Sequence, residues 1–374
     1  MISRIQYQNI LARLDDNKAI ILLGARQVGK TTLLKLLEKE SAKKAIWWNG
    51  DEPDIRALLQ NPTSTSLKNI IGNAKLLIID EAQRIENIGV LIKLIVDNFP
   101  NVKVIATGSS SFELSNRLNE PLTGRKWEFY LYPLSMKELA NENGAMEEKR
   151  LLEQRLIYGS YPDVVLNPGA EKEILTQLSD SYLYKDILAW ENIQKPAQLE
   201  KLVQALAFQV GQQASINELS QVTGLDFHTV NRYISLLEKA FIIFQLQPFS
   251  RNLRNEIKKS RKIYFYDNGI LNAVVKKFNP IQIRDDAGLL WENFMLSERK
   301  KMLEYKRIFV NQFFWRNHAQ QEIDYIEEQE GELEAYEFKW SPKAKAKFSK
   351  SFTNEYKPKV TQKIDRDNYN DFII

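Results

Sequence analysis

The most constraining feature of this 374-residue chain is a glycine-rich segment that separates an apolar run from an amphipathic stretch. Residues 24–31 read Gly-Ala-Arg-Gln-Val-Gly-Lys-Thr and match the pattern G-x-x-x-x-G-K-[ST]. The apolar residues 19–23 before it predict a buried parallel strand, and the leucines within 33–37 predict a helix after it. Strand, glycine loop and helix in this order predict an α/β fold with a parallel sheet and a phosphate-binding loop rather than an ordinary glycine turn.

The residue types in this loop each suit a bound nucleotide. Glycines let backbone N–H groups close around phosphate, and the helix N-terminus adds positive potential. Lys30 is predicted to reach the β- and γ-phosphates, and the Thr31 hydroxyl is predicted to ligate Mg²⁺. The sequence therefore predicts that the chain binds ATP with Mg²⁺.

An acidic pair follows a second apolar run. Residues 76–79 read Leu-Leu-Ile-Ile and lead directly into Asp80 and Glu81. Such a pair is an ordinary strand end when it stands alone, but beside a phosphate loop it acquires a role. Asp80 is predicted to hold the water shell of Mg²⁺, and Glu81 to orient or deprotonate a water that attacks the γ-phosphate, which favours ATP hydrolysis over transfer to a small substrate.

Together with a third strand, these motifs resemble the AAA+ ATPases. The strand over 102–106 ends in small hydroxyl residues at 107–111, and Leu-Thr-Gly-Arg at 122–125 precedes a further strand. The resemblance is closest to a branch of predicted bacterial and archaeal ATPases distantly similar to origin-recognition proteins. It implies that Ser109 occupies the sensor-1 position and that Arg125 is an arginine finger completing the site of a neighbouring subunit, so a homo-oligomer is expected. Arg117 is a competitor for that role, and Arg125 could equally form a surface ion pair.

The predicted nucleotide site can be stated residue by residue. The catalytic residues are Glu81, Lys30 and Arg125, and the Mg²⁺ ligands are Thr31 and Asp80. The remaining nucleotide-binding positions belong to the loop and to the third strand end: Gly24, Ala25, Arg26, Gln27, Val28, Gly29, Lys30, Thr31, Thr32 and Ser109.

Composition excludes several other chemistries. The chain has no cysteine and only two histidines, His228 and His318, so disulfides, structural zinc sites and thiol nucleophiles lack their residues. Any metal must bind carboxylates. No stretch reaches the ~20 apolar residues of a membrane span, and a soluble, cytoplasmic protein without a membrane partner is expected.

The middle of the chain predicts a helical region followed by a DNA-binding fold. The helical pattern over 141–200 resembles the small lid of AAA+ proteins, with Arg150 or Arg155 as sensor-2 candidates that ordinary solvation explains equally well. A capping box at Ser215, a turn at 223–225, a second helix and a strand over 241–246 predict a winged helix.

On that fold, three polar residues of the second helix, Thr229, Asn231 and Arg232, would face DNA. The segment 251–262 then has six basic residues against one acid, for which phosphate is the natural counterpart. Arg254, Lys258 and Lys259 are its predicted DNA contacts. A protein-packing module with a solvated basic face is the alternative.

The last hundred residues resemble the PD-(D/E)XK nuclease fold. A helix around Glu292 is followed by a strand with Asp324 and a strand with Glu337 and Lys339, which share a face because they lie two residues apart. Asp324 and Glu337 are a candidate second Mg²⁺ site, with Lys339 positioning water. The residue before Asp324 is isoleucine rather than proline, so a nuclease fold used only for binding is the alternative. Eight lysines against one acid over 339–363 could follow a phosphate backbone or form a tail.

Taken together, the sequence predicts an ATPase core at 1–140, a helical lid at 141–200, a winged helix at 201–262 and a nuclease-like domain at 263–374. The expected function is an Mg²⁺-dependent ATPase that acts as a nucleotide-controlled switch on double-stranded DNA. The alternatives are an ATP-dependent scaffold that binds protein and an ATP-gated endonuclease.

Overall fold

The structure is a computed structural model that describes residues 2–109, 122–180, 196–250, 261–317 and 319–374. It divides into two compact units. The first comprises Met1–Pro133 with Lys239–Phe241, and the second comprises Leu134–Glu238 with Ile242–Ile374. The finer division at residues 140, 200 and 262 stays a prediction.

The first unit alternates strands and helices, as expected for an α/β domain. Its elements are α1 (Ile5–Leu11), β1 (Ala19–Leu23), α2 (Lys30–Ser41), β2 (Ala45–Asn49), α3 (Pro53–Leu58), α4 (Ser64–Ile71), β3 (Leu76–Asp80), α5 (Ile88–Asn98), β4 (Lys103–Gly108) and β5 (Lys126–Tyr130), with a 3₁₀ turn at Ala82–Arg84.

These strands form a five-stranded sheet in the order β2-β3-β4-β1-β5, and every pair is parallel. Because the sheet is covered on both faces, β1 is apolar throughout and fully buried. Parallel strands place their carboxyl ends on one edge, so the segments after β1, β3 and β4 meet there. The predicted α/β class with a parallel sheet is confirmed, and this edge positions the candidate site.

The second unit mixes helices with a larger sheet. Its elements are α6 (Met136–Asn143), α7 (Ala145–Arg150), α8 (Leu152–Tyr158), α9 (Pro162–Leu166), α10 (Pro196–Phe208), β6 (Gln213–Ala214), α11 (Ile216–Thr223), α12 (Phe227–Lys239), β7 (Ile243–Pro248), β8 (Arg261–Phe265), α13 (Asn268–Val274), α14 (Ala287–Tyr305), β9 (Asn311–Arg316), β10 (Glu322–Gln329), β11 (Glu332–Phe338), α15 (Lys350–Tyr356), β12 (Val360–Ile364) and α16 (Asn370–Ile373).

The strands of this unit form one seven-stranded sheet in the order β12-β11-β10-β9-β7-β8-β6. The sheet is continuous across residue 262, because β7 pairs with β8 on one side and with β9 on the other. The strands predicted for a winged helix and those predicted for a nuclease-like domain therefore share one sheet.

Buried polar contacts tie residues 134–160 to the rest of the second unit. Lys301 Nζ donates to Glu298 Oε1 at 2.6 Å and to the Leu134 carbonyl at 3.1 Å, and Glu298 accepts from the Met136 N–H at 2.8 Å. Asp267 accepts from the Ser160 N–H at 2.7 Å. Leu134 and Met136, predicted at the end of the ATPase core, and Ser160, predicted in the lid, thus contact buried residues of the second unit.

The two sensor-2 candidates in this region have ion-pair partners. Arg155 is buried and binds Glu148 through two hydrogen bonds of 2.9 Å. Arg150 is exposed and pairs with Glu147 at 3.1 Å. A sensor-2 role stays a prediction for both.

Among the helices of the described residues, none combines the length and the apolar composition of a membrane span.

Candidate nucleotide-binding site

The glycine loop connects β1 to α2 in a conformation that requires its two glycines. At Gly24, an added Cβ would lie 2.1 Å from the Leu131 carbonyl oxygen, so only glycine fits against this backbone. Gly29 has φ of +96° and directly precedes the first residue of α2, Lys30. Because φ above zero strains residues with a Cβ, glycine lets the chain turn from the loop into the helix here. The N–H groups at the start of α2 consequently face the loop.

Lys30 is held over this loop by its own backbone. Its ammonium group donates to the carbonyl oxygens of Gly24 at 2.8 Å and Ala25 at 2.7 Å, and the side chain is buried. The positive charge therefore lies among the loop residues rather than in solvent. This is where a lysine must lie to meet a phosphate bound by the loop.

A chain of hydrogen bonds connects the loop to the ends of β3 and β4. The Thr31 hydroxyl donates to Asp80 Oδ2 at 2.9 Å, and the Thr107 hydroxyl donates to Asp80 Oδ1. Thr107 in turn accepts from the Glu81 N–H at 3.2 Å. Three predicted residues thus meet as expected, and Thr107 joins them as a residue that the sequence indicated only as part of a hydroxyl-rich strand end.

Glu81 is fixed beside Asp80 by its backbone and its side chain. It adopts a left-handed conformation with φ of +49°, which is uncommon for a residue with a Cβ. Its carboxylate accepts from Gln83 Nε2 at 2.5 Å and from Ser109 Oγ at 3.4 Å, and Gln83 also donates to Ser109 at 3.0 Å. The predicted sensor residue therefore contacts the predicted catalytic glutamate, and Gln83 is an additional member of the site.

The remaining loop positions differ in exposure. Val28 and Ala25 are buried, Arg26 is half-buried, and Gln27 and Thr32 are exposed. Gln27 has φ of +59°, a second left-handed residue in the loop. Gly50 follows β2 and was not predicted for the site, although a Cβ there would lie 2.3 Å from the Glu81 carbonyl oxygen. Its glycine permits the close approach of β2 to the turn that carries Glu81.

The donor set of this edge fits Mg²⁺. A threonine hydroxyl and an aspartate carboxylate, Thr31 and Asp80, lie within hydrogen-bond distance of each other beside the phosphate loop. Mg²⁺ prefers such hard oxygen ligands and commonly uses one or two protein groups together with substrate phosphates. The two side chains can therefore hold the ion of an Mg²⁺-nucleotide complex.

Arg125 lies at the opposite edge of the sheet. Its backbone carbonyl accepts from Ala19 N at 2.9 Å, which places it beside the first residue of β1, whereas the loop follows the last. Its guanidinium pairs with Asp97 at 2.8 Å, and both side chains are about 40% exposed. Arg125 is thus absent from the site of its own chain, and a role toward a neighbouring subunit stays a prediction.

In the second unit, the structure brings together the predicted nuclease-like residues Asp324, Glu337 and Lys339. Lys339 Nζ lies 2.8 Å from Glu337 Oε2 and 3.3 Å from Asp324 Oδ2. Asp324 also accepts from the Phe338 N–H at 2.8 Å. Burial raises the pKa of Glu337 to about 7, reinforced by the Asp324 charge and opposed by Lys339.

Glu292 belongs to a second ion-pair group that adjoins the first. Its carboxylate accepts from the Tyr264 hydroxyl at 2.6 Å and from Lys262 Nζ at 3.3 Å, and Lys262 also pairs with Glu322. Burial raises the pKa of Glu292. Burial alone would lower the pKa of Lys262, but the surrounding carboxylates, led by Glu292, raise it above its ordinary value.

These acids do not form an evident metal site. Among the residues that the structure describes, no group of three or more His, Asp or Glu side chains is placed to hold a metal ion. The Lys339 ammonium group lies between the two carboxylates that were predicted to share Mg²⁺. A second metal site at Asp324 and Glu337 stays a prediction, and we derive no metal-dependent step from these residues.

The structure corrects the prediction that the whole basic segment 251–262 faces phosphate. Lys262 is only 2% exposed and is bound to carboxylates, so its charge is used internally. Arg261 donates to Gln245 Oε1 at 2.7 Å. The other members of the segment, among them Arg254, Lys258 and Lys259, lie outside the described residues, as do Arg117 and His318.

The predicted DNA-facing residues of α12 lie near the start of that helix. The Thr229 hydroxyl donates to Asp226 Oδ2 at 2.6 Å, and Asn231 Nδ2 donates to the Phe227 carbonyl at 3.0 Å. Arg232 is exposed. The Thr229 hydroxyl also lowers the pKa of Asp226, which favours a negative charge at this end of the helix.

Three segments of the chain match known domain families. Residues 16–140 match the AAA domain, residues 149–281 match a domain of unknown function, DUF8612, and residues 287–368 match another, DUF4143. The AAA match covers the phosphate loop, the acidic pair and the third strand end. The first unit therefore has the P-loop NTPase fold and contains an AAA domain, which supports nucleotide binding by this unit.

Similar whole proteins come from bacteria and archaea. An uncharacterized protein of Haemophilus influenzae is 27% identical over 303 residues, 74% of each chain. Uncharacterized proteins of Mycobacterium tuberculosis and Methanocaldococcus jannaschii are 26% and 23% identical, covering 86% and 81% of this chain and 70% and 71% of theirs.

Two solved structures are weakly similar to this chain. The Thermotoga maritima RuvB Holliday junction branch migration motor has a TM-score of 0.33 at 15% identity, covering 69% of this chain and 95% of that one. The Pif1 helicase of Candida albicans has a TM-score of 0.27 at 13% identity, covering 48% of each chain. At these TM-scores, neither structure bears on function.

Proposed function

We propose that the first unit hydrolyses ATP in the presence of Mg²⁺. The observation that carries this proposal is the continuous hydrogen-bonded chain Thr31–Asp80–Thr107–Glu81 at the edge of the sheet where the phosphate loop begins. It joins a magnesium-ligand pair to a second carboxylate. An enzyme that only held nucleotide would not need the second acid.

Each side chain then has a defined task. Backbone N–H groups of the loop and Lys30 bind the β- and γ-phosphates, and Thr31 and Asp80 hold Mg²⁺, which when bound neutralises charge that develops on the phosphates. Glu81 orients the attacking water and accepts its proton. Gln83 and Ser109 keep the Glu81 carboxylate in place through their hydrogen bonds, so the base does not have to be ordered during the reaction.

Arg125 is proposed to act on a neighbouring copy of the chain. Its position beside the first residue of β1, at the edge away from the loop, rules out a role at its own site. To serve in trans it would exchange the exposed Asp97 pair, and such pairs contribute at most about 1 kcal/mol. The geometry therefore permits an arginine finger only in an oligomer.

Steady-state ATP hydrolysis tests this proposal. We expect Mg²⁺-dependent turnover by the wild-type chain, loss of turnover with retained binding for Glu81→Gln, and little change for Glu86→Gln, an exposed acid five residues further on. A rate per chain that rises with protein concentration and is lost in Arg125→Ala supports action in trans. Equal rates for wild type and Glu81→Gln would contradict the proposed role of this carboxylate.

We further propose that ATP controls binding of the second unit to double-stranded DNA. The elements α10, β6, α11, α12, β7 and β8 follow the order of a winged helix, with β6 and β7 both antiparallel to β8. The sequence between β7 and β8, which lies largely outside the described residues, has four basic residues against one acid over 249–260. A segment of this composition suits the phosphate backbone.

Salt-dependent duplex binding tests the DNA proposal. Charge reversal at Arg254, Lys258 and Lys259 is expected to abolish binding, whereas reversal at three exposed lysines of the first unit changes net charge equally and is expected to have little effect. Those control positions are Lys68, Lys75 and Lys93. Equal losses in the two triple variants would mean that total charge, rather than the segment 251–262, drives binding.

A scaffold that binds protein is the second candidate function. Three apolar side chains on the helices of the same region are exposed: Phe208 by 67%, Val222 by 58% and Phe227 by 50%. The Asp226 carboxylate at the start of α12 would oppose a phosphate backbone, and it favours this candidate. If the protein does not bind duplex DNA even at low salt, that result favours the scaffold over the DNA switch.

An ATP-gated endonuclease is the remaining alternative for the second unit. Asp324, Glu337 and Lys339 do lie together, as the nuclease-like pattern predicts. Because the Lys339 ammonium group already pairs with both acids, we propose that this region binds rather than cleaves. Mg²⁺- or Mn²⁺-dependent nicking of plasmid DNA that is lost in Glu337→Ala would overturn that view.

A further inference from the structure

Arg4 links the phosphate loop to the end of β5. Its Nη1 donates to the Val28 carbonyl at 2.6 Å, and its Nη2 donates to the Tyr132 carbonyl at 2.6 Å. Both acceptors are backbone atoms of the first unit, and they lie 24 and 128 residues from Arg4 in sequence. A planar guanidinium can hold two acceptors in fixed relation, which an ammonium group on a flexible stem does not.

The contact with Val28 fixes the orientation of a peptide plane in the loop. The Val28 carbonyl and the Gly29 N–H belong to the same peptide unit, which is planar and, in the trans form, has the two groups pointing in opposite directions. A bond that holds the carbonyl on the Arg4 side therefore turns the Gly29 N–H away from Arg4. Because Gly29 precedes the first residue of α2, its N–H is one of the donors available to a phosphate.

Gly29 needs such a restraint more than other residues would. Glycine explores both signs of φ at little cost, so this peptide plane can rotate more readily than its neighbours. An added Cβ at Gly29 would have Arg4 Nη1 as its nearest neighbour, at 3.8 Å, so the guanidinium lies directly behind this residue. The arginine is thus placed to restrict rotation of the Val28–Gly29 peptide plane.

Other contacts hold the start of the chain in place independently of Arg4. Gln6 is fully buried and donates to the Tyr130 carbonyl at 2.9 Å. The Tyr7 hydroxyl donates to Glu40 on α2, and Ile10 is fully buried. Removing the Arg4 side chain should therefore leave α1 docked, which makes its effect on the loop separable from an effect on folding.

We propose that Arg4 is a positioning residue for nucleotide binding, acting through the Val28–Gly29 peptide to orient a phosphate-binding N–H. The proposal rests on the proposed binding of ATP by this loop. It assigns Arg4, the residue that directly precedes α1, to the nucleotide site, although its side chain does not need to touch the ligand.

The test measures the dissociation constants of Mg²⁺-ATP and Mg²⁺-ADP by titration of a fluorescent nucleotide and competition. Arg4→Ala is expected to raise both dissociation constants by about tenfold. This corresponds to the loss of roughly one charge-assisted hydrogen bond, that between the Gly29 N–H and a phosphate of the nucleotide. Arg4→Lys retains the charge but not the two-point contact, and we expect it to recover only part of the affinity. Gln6→Ala is the matched control, because it removes a bond from the same segment to β5 without a contact to the loop.

A spectroscopic measurement separates positioning from stability. In the wild type, the ¹H–¹⁵N signal of Gly29 is expected to shift strongly on addition of Mg²⁺-ADP, and this shift is expected to shrink in Arg4→Ala but not in Gln6→Ala. Should Arg4→Ala fail to fold, Arg4→Gln preserves a donor of similar size and is expected to change affinity in the same direction.

The outcomes distinguish this inference from the function on which it rests. If Lys30→Ala weakens ATP binding while Arg4→Ala and Gln6→Ala behave alike, the positioning role is wrong and the ATP site stands. Full recovery of affinity in Arg4→Lys would show that charge, not the bridge, matters, and would also overturn the proposal. If neither the wild type nor Lys30→Ala binds ATP, the proposed function fails, and the role of Arg4 fails with it.

Discussion

The edge of the first sheet and the acid–lysine cluster of the second unit use the same residue types in different ways. At the sheet edge, the acids Asp80 and Glu81 receive hydrogen bonds from hydroxyl, amide and backbone N–H groups, and Lys30 binds backbone carbonyls. In the second unit, Lys262 and Lys339 bind carboxylates directly. The charged groups of the first region are therefore not paired with each other in these contacts and can bind a ligand. In the second region, lysines and carboxylates form ion pairs with one another.

This difference indicates where an external cation or phosphate is needed. A carboxylate that accepts neutral hydrogen bonds keeps its negative charge and can attract Mg²⁺. A carboxylate paired with a buried lysine is already desolvated and already interacts with a positive charge, so it gains less interaction energy from binding a metal ion. The same sequence pattern of acid and lysine thus predicts a ligand site only where the structure keeps the two charges apart.

We expect the largest effect on stability from removing Lys262, the buried lysine of the second unit. Lys262→Ala leaves Glu292 and Glu322 without their shared cation in a buried position, and such a change costs about 3–5 kcal/mol of the free energy of unfolding. Urea unfolding followed by tryptophan fluorescence measures it. Lys359→Ala, which breaks an exposed pair with Glu332, is the control and should change the stability by less than about 1 kcal/mol.

We expect the next largest effect, on ATP affinity, from removing Lys30 of the phosphate loop. Lys30→Ala is expected to weaken Mg²⁺-ATP binding by about 100-fold, or ~2.7 kcal/mol, because the ligand phosphates lose a charge-assisted contact. Stability should change far less than in Lys262→Ala, since the Lys30 bonds to the Gly24 and Ala25 carbonyls join neutral acceptors and leave no buried carboxylate without its cation. Equal destabilisation of the two variants would mean that both lysines are structural.

A smaller effect tests the hydroxyl that joins the two acids of the first region. Thr107→Val preserves the shape of the side chain but removes its bonds to Asp80 and Glu81. We expect ATP turnover to fall by about tenfold, ~1.4 kcal/mol in the activation free energy, with little change in ATP affinity. Thr353→Val on α15 is the control, and an unchanged turnover in Thr107→Val would show that the acids are held without it.

The last prediction concerns the pH dependence of the second cluster. Because the pKa of Glu337 is raised to about 7 from an ordinary value of 4.5, the folded state binds more protons than the unfolded state between these values. The free energy of unfolding should therefore decrease as pH rises through this window. Glu337→Gln should flatten the profile between pH 5 and 7. A profile that keeps its slope in this variant would assign it to another acid.

Much of the first unit could be predicted because its signals are local. β1, β3 and β4 are short, largely apolar runs whose carboxyl ends meet at one edge, and the glycine loop is a contiguous pattern. β2 was missed, since Ala45–Asn49 is mostly half-buried and two tryptophans do not alternate with polar residues. Gln83 lies next to the acidic pair, yet nothing in the sequence shows that its amide reaches Glu81.

The phosphate loop, the acidic pair and the parallel α/β order could be predicted, because each depends on residues close together in the chain and on backbone geometry that only certain residues allow. Tertiary structure alone decided that Arg4 reaches Val28 and that Lys262 turns inward to Glu292 rather than outward to phosphate. The physical reason is that burial and the distance between charges set the strength of an electrostatic interaction, and both are fixed only when residues distant in sequence pack together.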